Sequence, residues 1–123
     1  MDPVARFKVG LMLTLLAAGA APAGVQAAAH DRVLARGREI AAGQCVACHV
    51  VMDDQKIEPL LSPPAPAFRD IANRPDTTAP LLSKFVRTTH WDLKSLPMQM
   101  PSPQLSPADT RAVVQYILSL RRQ

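Results

Sequence analysis

The feature that most constrains this chain of 123 residues is the pentapeptide Cys45-Val46-Ala47-Cys48-His49, which contains both of its cysteines. A Cys-x-x-Cys-His sequence is the attachment signature for c-type haem. The two thiols add across the two vinyl groups of the porphyrin, and the histidine falls under the ring, where a neutral imidazole ligates the iron. The sequence therefore predicts one covalent haem c, attached through Cys45 and Cys48, with His49 as an axial ligand.

Other interpretations of the cysteine pair are less favourable. A disulfide across two residues would close too short a loop to stabilise the fold. A thioredoxin-like dithiol would need a βαβ unit, which the sequence does not show. The remaining Ser, Asp and Glu residues fit helix caps and solvated faces, so no acid–base or nucleophilic site competes. We therefore expect no catalytic residues and a protein that is not itself an enzyme.

Residues 1–29 have the features of a secretory signal peptide. A basic start is followed by an almost wholly apolar run over residues 9–23 and by small residues up to Ala29. Cleavage is expected after Ala27 or Ala29, which makes residues 30–123 the mature domain, exported to the periplasm. The alternative is an uncleaved anchor, but the apolar run is short for a membrane span of about 20 residues. No later stretch is long and apolar enough to cross a bilayer.

The mature domain has a modest basic excess. It carries 12 basic and nine acidic residues, a net charge of +3 before haem propionates are counted. No stripe of Lys and Arg is interleaved with aromatic residues, which argues against nucleic-acid binding. The excess favours brief docking to an acidic redox partner or an anionic membrane surface, and we expect a monomer. A core this small usually needs a further stabilising element, which covalent haem would provide.

Helical patterns and the absence of strand-like alternation predict an all-α fold. The first helix is expected over His30–Gln44, with Asp31 as its N-cap. A short helix is expected over Phe68–Asn73, and another over Thr78–Thr88. The buried face of this third helix is expected to consist of Leu81, Leu82, Phe85 and Val86.

The last helix has the clearest pattern. Ser106 is a typical N-cap, Pro107 suits the first helical position, and Asp109 places an acid in the first turn. Arg121 and Arg122 follow the end, where cations interact favourably with the helix dipole. One stripe of the helix is expected to be buried and comprises Val113, Tyr116, Ile117 and Leu120.

The middle of the chain is rich in proline and holds the candidates for a sixth iron ligand. Ten of the twelve prolines lie between Pro59 and Pro107, where they fix the backbone of loops that still carry many apolar residues. Met52 is too near His49 to reach the opposite face of the ring. Met98 and Met100 follow about 50 residues later in a proline-bounded loop. We favour Met100 with Met98 as the alternative, and His90 would give a bis-His haem instead. A lone methionine is otherwise more often core filler.

From Arg36 to Leu120 the chain resembles the small bacterial monohaem class I cytochromes c. The resemblance is carried by the haem motif, by Met100-Pro101 leading into the last helix, and by Val113-Val114-Gln115-Tyr116-Ile117 within it. It implies a cytochrome c-like fold in which short helices and proline-rich loops wrap one haem. In this family the terminal helices cross at a small residue, so Gly37 is expected to face Tyr116.

The resemblance also implies two further haem contacts. Pro66, with Pro63 and Pro64 as competitors, matches the proline whose carbonyl accepts a hydrogen bond from the ligand histidine. Trp91 matches an aromatic residue that hydrogen-bonds a haem propionate, although simple packing is an alternative. The chain departs from the family pattern at Val50, where glycine commonly follows the haem histidine. It also departs in offering two thioethers where one is usual.

The function implied is electron transfer with both axial ligands retained in Fe(III) and Fe(II). Electrons would leave through the haem edge in brief complexes of small contact area with redox partner proteins. Two alternatives remain. The chain could be the haem-bearing subunit of a larger periplasmic dehydrogenase or oxidase complex, which a large exposed apolar patch would favour. It could instead be an open-site haem protein that binds a ligand or peroxide, if neither methionine ligates the iron.

Overall fold

The structure is a computed structural model that describes residues 23–62, 64–88 and 100–122. These ranges contain four helices: α1 (Ala23–Gln44), α2 (Phe68–Asn73), α3 (Ala79–Arg87) and α4 (Pro107–Ser119). They contain no strand, and their only β pairing is an isolated parallel bridge between His49 and Ala65. The predicted all-α fold is confirmed.

Helix α1 ends at Gln44 as predicted but begins at Ala23 rather than His30. The prediction that Asp31 is its N-cap is wrong, because the alanine-rich residues before it continue the helix, as their high helix propensity allows. Residues 24–33 are all exposed, so this first part of α1 extends beyond the core. No helix of the described ranges, α1 included, has the length and hydropathy needed to span a membrane.

Helices α1 and α4 pack closely where they cross at Gly37. A Cβ atom on Gly37 would lie 2.7 Å from Cβ of Tyr116 and closer still to the carbonyl oxygen of Ala112. Real Cβ atoms essentially never approach to this distance, so only glycine fits. The prediction that Gly37 faces Tyr116 is confirmed, and this glycine fixes the crossing of the two terminal helices.

The core lies between these two helices and the shorter elements. On α4, Val113, Tyr116 and Ile117 are buried as predicted, while Leu120 is only partly buried because it is the C-cap. Other buried members of the cluster lie on α1, α2, α3 and the stretch after the cysteines, and include Ile40, Ala41, Val51, Phe68, Ala72 and Leu82. The apolar pattern of α4 thus identified the centre of the core.

Helix α2 has the bounds predicted for it, and α3 lies within the predicted Thr78–Thr88. Thr78 is the N-cap, with its side chain accepting a hydrogen bond from the Leu81 amide, and Thr88 is the C-cap. Of the four residues predicted to form the buried face of α3, two are buried. Leu82 and Val86 are buried, but Leu81 and Phe85 are 47% and 49% exposed, and all four line the cavity described below.

The end of α4 is tied to the loop between α2 and α3. Arg121 donates from Nε to the carbonyl oxygen of Ala72 and from Nη2 to that of Thr77, both at 2.8 Å. The Arg122 amide donates to Oδ1 of Asn73 at 3.0 Å. Arg121, predicted to lie favourably at the negative end of α4, also donates hydrogen bonds to the end of α2 and to the loop that follows it. They hold the wall of the cavity against α4.

Replacing Gly37 with alanine is expected to lower the free energy of unfolding by about 1–3 kcal/mol, the usual range for overpacking a rigid core. The added methyl would force α1 and α4 apart at the carbonyl of Ala112. Denaturant unfolding followed by circular dichroism measures the effect.

Gly43→Ala is the matched control, because Gly43 lies in the same helix with nothing within 4 Å of an added Cβ. It should be neutral or stabilising by up to about 1 kcal/mol, since alanine has the higher helix propensity. Equal losses in the two variants would contradict the close crossing at Gly37.

Candidate haem site

A cavity of about 460 Å³ opens between the turn after α1, helix α3 and the segment that leads into α4. Its size is in the range of small-molecule and cofactor sites. Most of its lining is apolar and comes from the core side of the surrounding elements, including Leu61, Phe68, Ile71, Leu82, Val86, Leu105, Val113 and Ile117. Leu81 and Phe85 extend this apolar surface from α3, and a flat apolar group bound there would cover their half-exposed side chains.

The two cysteines and the histidine of the haem motif, Cys45, Cys48 and His49, all line this cavity. The chain leaves α1 in a tight turn in which the Cys48 and His49 amides both donate to the carbonyl of Cys45, at 3.1 and 2.9 Å. Both cysteines are free thiols; that of Cys45 is buried and that of Cys48 is partly buried. The turn thus presents two thiols and one imidazole to the same apolar space.

His49 is oriented by the segment that precedes α2. Its Nδ1 atom lies 2.7 Å from the carbonyl oxygen of Pro66, and because a carbonyl only accepts, Nδ1 carries the proton and donates. The Ala65 amide donates to the carbonyl of Cys48 at 3.0 Å, which holds the two segments side by side. The ring of Phe68 packs near the imidazole, with 5.4 Å between centroids. This arrangement leaves Nε2 of His49 available as a ligand.

Of the candidates for the sixth iron ligand, the structure describes Met52 and Met100. Met100 lines the same cavity as His49, with Pro101 and Pro103 beside it. Met52 is not among the lining residues, and its sulfur lies 3.7 Å from Nη2 of Arg38 instead. Met98, His90 and Trp91 lie outside the described residues. The choice of Met100 over Met98, and the propionate contact of Trp91, therefore stay predictions.

Burial strongly affects the chemistry of the first cysteine. It raises the pKa of the Cys45 thiol to about 11, with a smaller contribution from the nearby Cys48. The thiolate is the nucleophilic form of cysteine, so a raised pKa leaves little of it at neutral pH. In the folded polypeptide Cys45 is thus a poor nucleophile.

Two polar side chains that the sequence analysis did not assign to the site support the backbone after His49. Gln55 accepts a hydrogen bond from the Val51 amide at 2.8 Å and donates to the carbonyls of His49 and Ile57, at 3.3 and 2.6 Å. The Tyr116 hydroxyl donates to the carbonyl of Val51 at 2.9 Å. Burial raises the pKa of Tyr116, which keeps this donor protonated. A lone glutamine in a loop carries no sequence signal that would have revealed its role.

Arg74 and Asp76 are the charged side chains that line the cavity among the described residues, His49 aside. Both are exposed and follow the end of α2, where the loop is held by Arg121. Sequence analysis named neither of them, because isolated charges in a loop have no pattern that separates them from solvated ones. They place one positive and one negative group at the rim of an otherwise apolar cavity.

The donor set fits a covalently attached haem. Two thiols at the required spacing, an imidazole with one nitrogen already hydrogen-bonded and a thioether all face one apolar cavity. The family model for cytochrome c matches residues 34–121.

The chain belongs to the cytochrome c family. Cytochrome c-552 of Bradyrhizobium diazoefficiens is 33% identical to it over 85 residues, which cover 69% of this chain and 72% of that relative. No solved structure matches the chain at a significant level. Family membership implies covalent haem c attached through two cysteines, and Cys45 and Cys48 have the required spacing. The cytochrome is thus a haem-based electron-transfer protein.

Replacing Gln55 with alanine is expected to lower the free energy of unfolding by about 1–3 kcal/mol, because it leaves the part-buried amide of Val51 without its acceptor. Unfolding should be followed by haem absorbance and by helical circular dichroism. Gln115→Ala, at an exposed position of α4, serves as control and should change stability by no more than about 0.5 kcal/mol. A Gln55 variant as stable as this control would show that the side chain does not support the site.

Proposed function

We propose that this cytochrome is a periplasmic carrier that shuttles single electrons between redox partner proteins, with His49 and Met100 as the axial ligands of its haem. The observation that carries the proposal is that His49 and Met100 line one cavity beside the two attachment cysteines. When bound, the haem supplies one-electron chemistry by cycling between Fe(III) and Fe(II), and a Met ligand favours a raised reduction potential.

The residues around His49 support its role as a permanent ligand. The hydrogen bond from Nδ1 to the carbonyl of Pro66 fixes the tautomer and the ring orientation, and such bonds increase the basicity of a metal-bound imidazole. Gln55 and Tyr116 hold the backbone that follows. A ligand held in this way stays in place in both oxidation states, which keeps the structural change on electron transfer small.

The apolar lining of the cavity is suited to raising the reduction potential of a bound haem. Leu82, Val86, Val113 and Ile117 exclude water from the cavity, and a low-polarity surrounding disfavours the additional positive charge of the ferric state. Trp91 is proposed to donate a hydrogen bond to a propionate, as the family resemblance implies. These residues would set the potential without taking part in bond making.

The proposal of export rests on the signal-like segment together with the exposure of α1. Residues 24–33 are exposed, so cleavage after Ala27 or Ala29 would remove no core residue from the part of the chain that the structure describes. The mature net charge of +3 favours partners with an acidic docking surface.

A second candidate function is that of haem subunit in a larger periplasmic oxidoreductase. Leu60 and Ile57 are 84% and 62% exposed, the two highest values among the large apolar side chains of the described residues. The Leu60 amide donates to the carbonyl of Ala47 at 2.8 Å, so this apolar surface adjoins the haem-attachment turn. A permanent partner would cover it. Co-purification with a partner at constant stoichiometry favours this second function, and a monomer in gel filtration favours the free carrier.

Met100→Ala is expected to abolish the weak near-infrared absorption band that a methionine sulfur gives to ferric haem, because the iron loses its sixth ligand. Optical spectra of the purified oxidised and reduced protein measure this directly. Met52→Ala is the matched control and should retain the band, since Met52 does not line the cavity.

Other results of the same spectra would distinguish Met98 as the ligand from a haem iron with no methionine ligand. Loss of the band in Met98→Ala, but not in Met100→Ala, would keep the function and reassign the ligand. A wild-type protein that lacks the band and binds carbon monoxide readily would replace electron shuttling with ligand binding or catalysis.

The intact mass of the protein from a periplasmic fraction is expected to equal that of a chain beginning at Ala28 or His30 plus one haem. Mass spectrometry under denaturing conditions tests cleavage and attachment together, because thioether bonds survive unfolding. A full-length mass in the membrane fraction would instead indicate an uncleaved anchor.

A further inference from the structure

We propose that the Arg36–Asp109–Ser106 cluster is a positioning device for the axial methionine, which it keeps at the cavity by fixing the C-terminal end of the Met100 segment (residues 100–106) to α1. This inference rests on the proposed function, since it takes Met100 as the iron ligand. It concerns what keeps that ligand in place, which neither the haem motif nor the family match assigns.

The cluster joins α1, which carries Arg36, to the end of the Met100 segment at Ser106 and to the first turn of α4, which carries Asp109. Oδ1 of Asp109 accepts a hydrogen bond from Nε of Arg36 at 3.0 Å, and Oδ2 accepts one from the Ser106 hydroxyl at 2.9 Å. The Asp109 amide donates back to that hydroxyl at 3.1 Å. Arg36 holds the pKa of Asp109 below its usual range, with a further contribution from Ser106, so the carboxylate is charged at neutral pH. The ion pair thus connects α1 to the residue that caps α4.

Ser106 is also fixed by its own carbonyl oxygen. Thr110 donates to that oxygen from its amide at 2.8 Å and from its hydroxyl at 2.9 Å. Thr110 is itself buried, so these bonds anchor Ser106 to the core side of α4. With the bonds to Asp109, every polar group of Ser106 except its amide has a described partner.

The backbone of the segment between Met100 and Ser106 has restricted conformational freedom. Pro101 and Pro103 lock two of its φ angles. Gln104 has a φ of 50°, in the left-handed region that non-glycine residues rarely adopt, and its amide donates to the Ser102 hydroxyl at 3.3 Å. Leu105 packs against the core. Because these features narrow the range of backbone conformations, the position of Ser106 restricts where Met100 lies.

Arg36 is a suitable anchor because it precedes Gly37, where α1 and α4 approach most closely. The ion pair therefore spans two helices whose relative position is already fixed. Release of a methionine ligand requires its segment to move away from the iron. A bond at the end of that segment lowers the population of the released state, which an external ligand would otherwise capture.

The test is the affinity of the full-length ferric haem protein for imidazole, which competes with the methionine for the iron. In Arg36→Gln and in Asp109→Asn the apparent affinity should rise about two- to fivefold, the range that a partly exposed ion pair supports. Asparagine can still accept from Ser106, so the cap of α4 is retained. The double variant should show no further increase, because either change alone breaks the pair, and Arg36→Lys should restore part of the wild-type behaviour.

Arg38→Gln is the matched control. Arg38 lies on the same helix, its side chain is 51% exposed like that of Arg36, and it pairs with Asp54 at 2.9 Å, away from the Met100 segment. Glu39→Gln removes the other partner of Arg36 without touching Asp109. Both should leave imidazole affinity unchanged, even where denaturant unfolding shows a small loss of stability.

The outcomes separate this inference from the proposed function. A near-infrared band in the wild type, with equal imidazole affinity in Arg36→Gln and Arg38→Gln, would overturn the role of the cluster and leave the axial ligation intact. A wild type without the band would overturn the axial ligation, and the positioning role with it. A rise confined to Arg36→Gln, Asp109→Asn and their double variant would establish the cluster as a determinant of ligand retention.

Discussion

The close approach of α1 and α4 at Gly37 is the contact on which the rest of this cytochrome depends. Because the backbone of Ala112 and the Cβ of Tyr116 occupy the space a side chain would need, the two helices meet at one register. That register places the turn after α1 beside the buried face of α4. Tyr116 then reaches the backbone of Val51, and Arg121 reaches the loop after α2. The positions of the elements that line the cavity thus depend on the absence of a side chain at Gly37.

The haem site is assembled from short segments that have little order of their own. The turn that carries the cysteines, the loop before α2 and the segment before α4 are not regular elements, and each is held by hydrogen bonds. Gln55 holds the first, Cys48 and His49 pair with the second, and Asp109 holds the third. Prolines reduce the entropy that these segments lose on folding, which explains their concentration between Pro59 and Pro107. The site thus combines stiff loops with a few long-range hydrogen bonds.

The features that the sequence predicted are those with local signals. The thiol pair and His49, the cap and stripe of α4, and the bounds of α2 are each encoded within a few residues, and Gly37 followed from the family pattern. The start of α1 was missed because Asp31 would make a good N-cap, whereas the residues before it, Ala23–Ala29, have a high helix propensity and extend the helix towards the N-terminus. The exposure of Leu81 and Phe85 was missed because a helical pattern does not distinguish a face packed on protein from one that lines a cavity. Arg121 acts on residues that only the fold brings near, and a lone glutamine such as Gln55 has no pattern that marks it as a support for nearby backbone.

The buried Cys45 thiol has a consequence for the order of assembly. With a pKa of about 11, it is nearly unreactive once the turn has closed around it, whereas in an open chain it would ionise far more readily. Thioether formation at Cys45 is therefore favoured before the turn closes around the thiol. The same burial protects an unmodified folded chain from alkylation and oxidation at that sulfur. The burial of one sulfur thus couples haem attachment to folding.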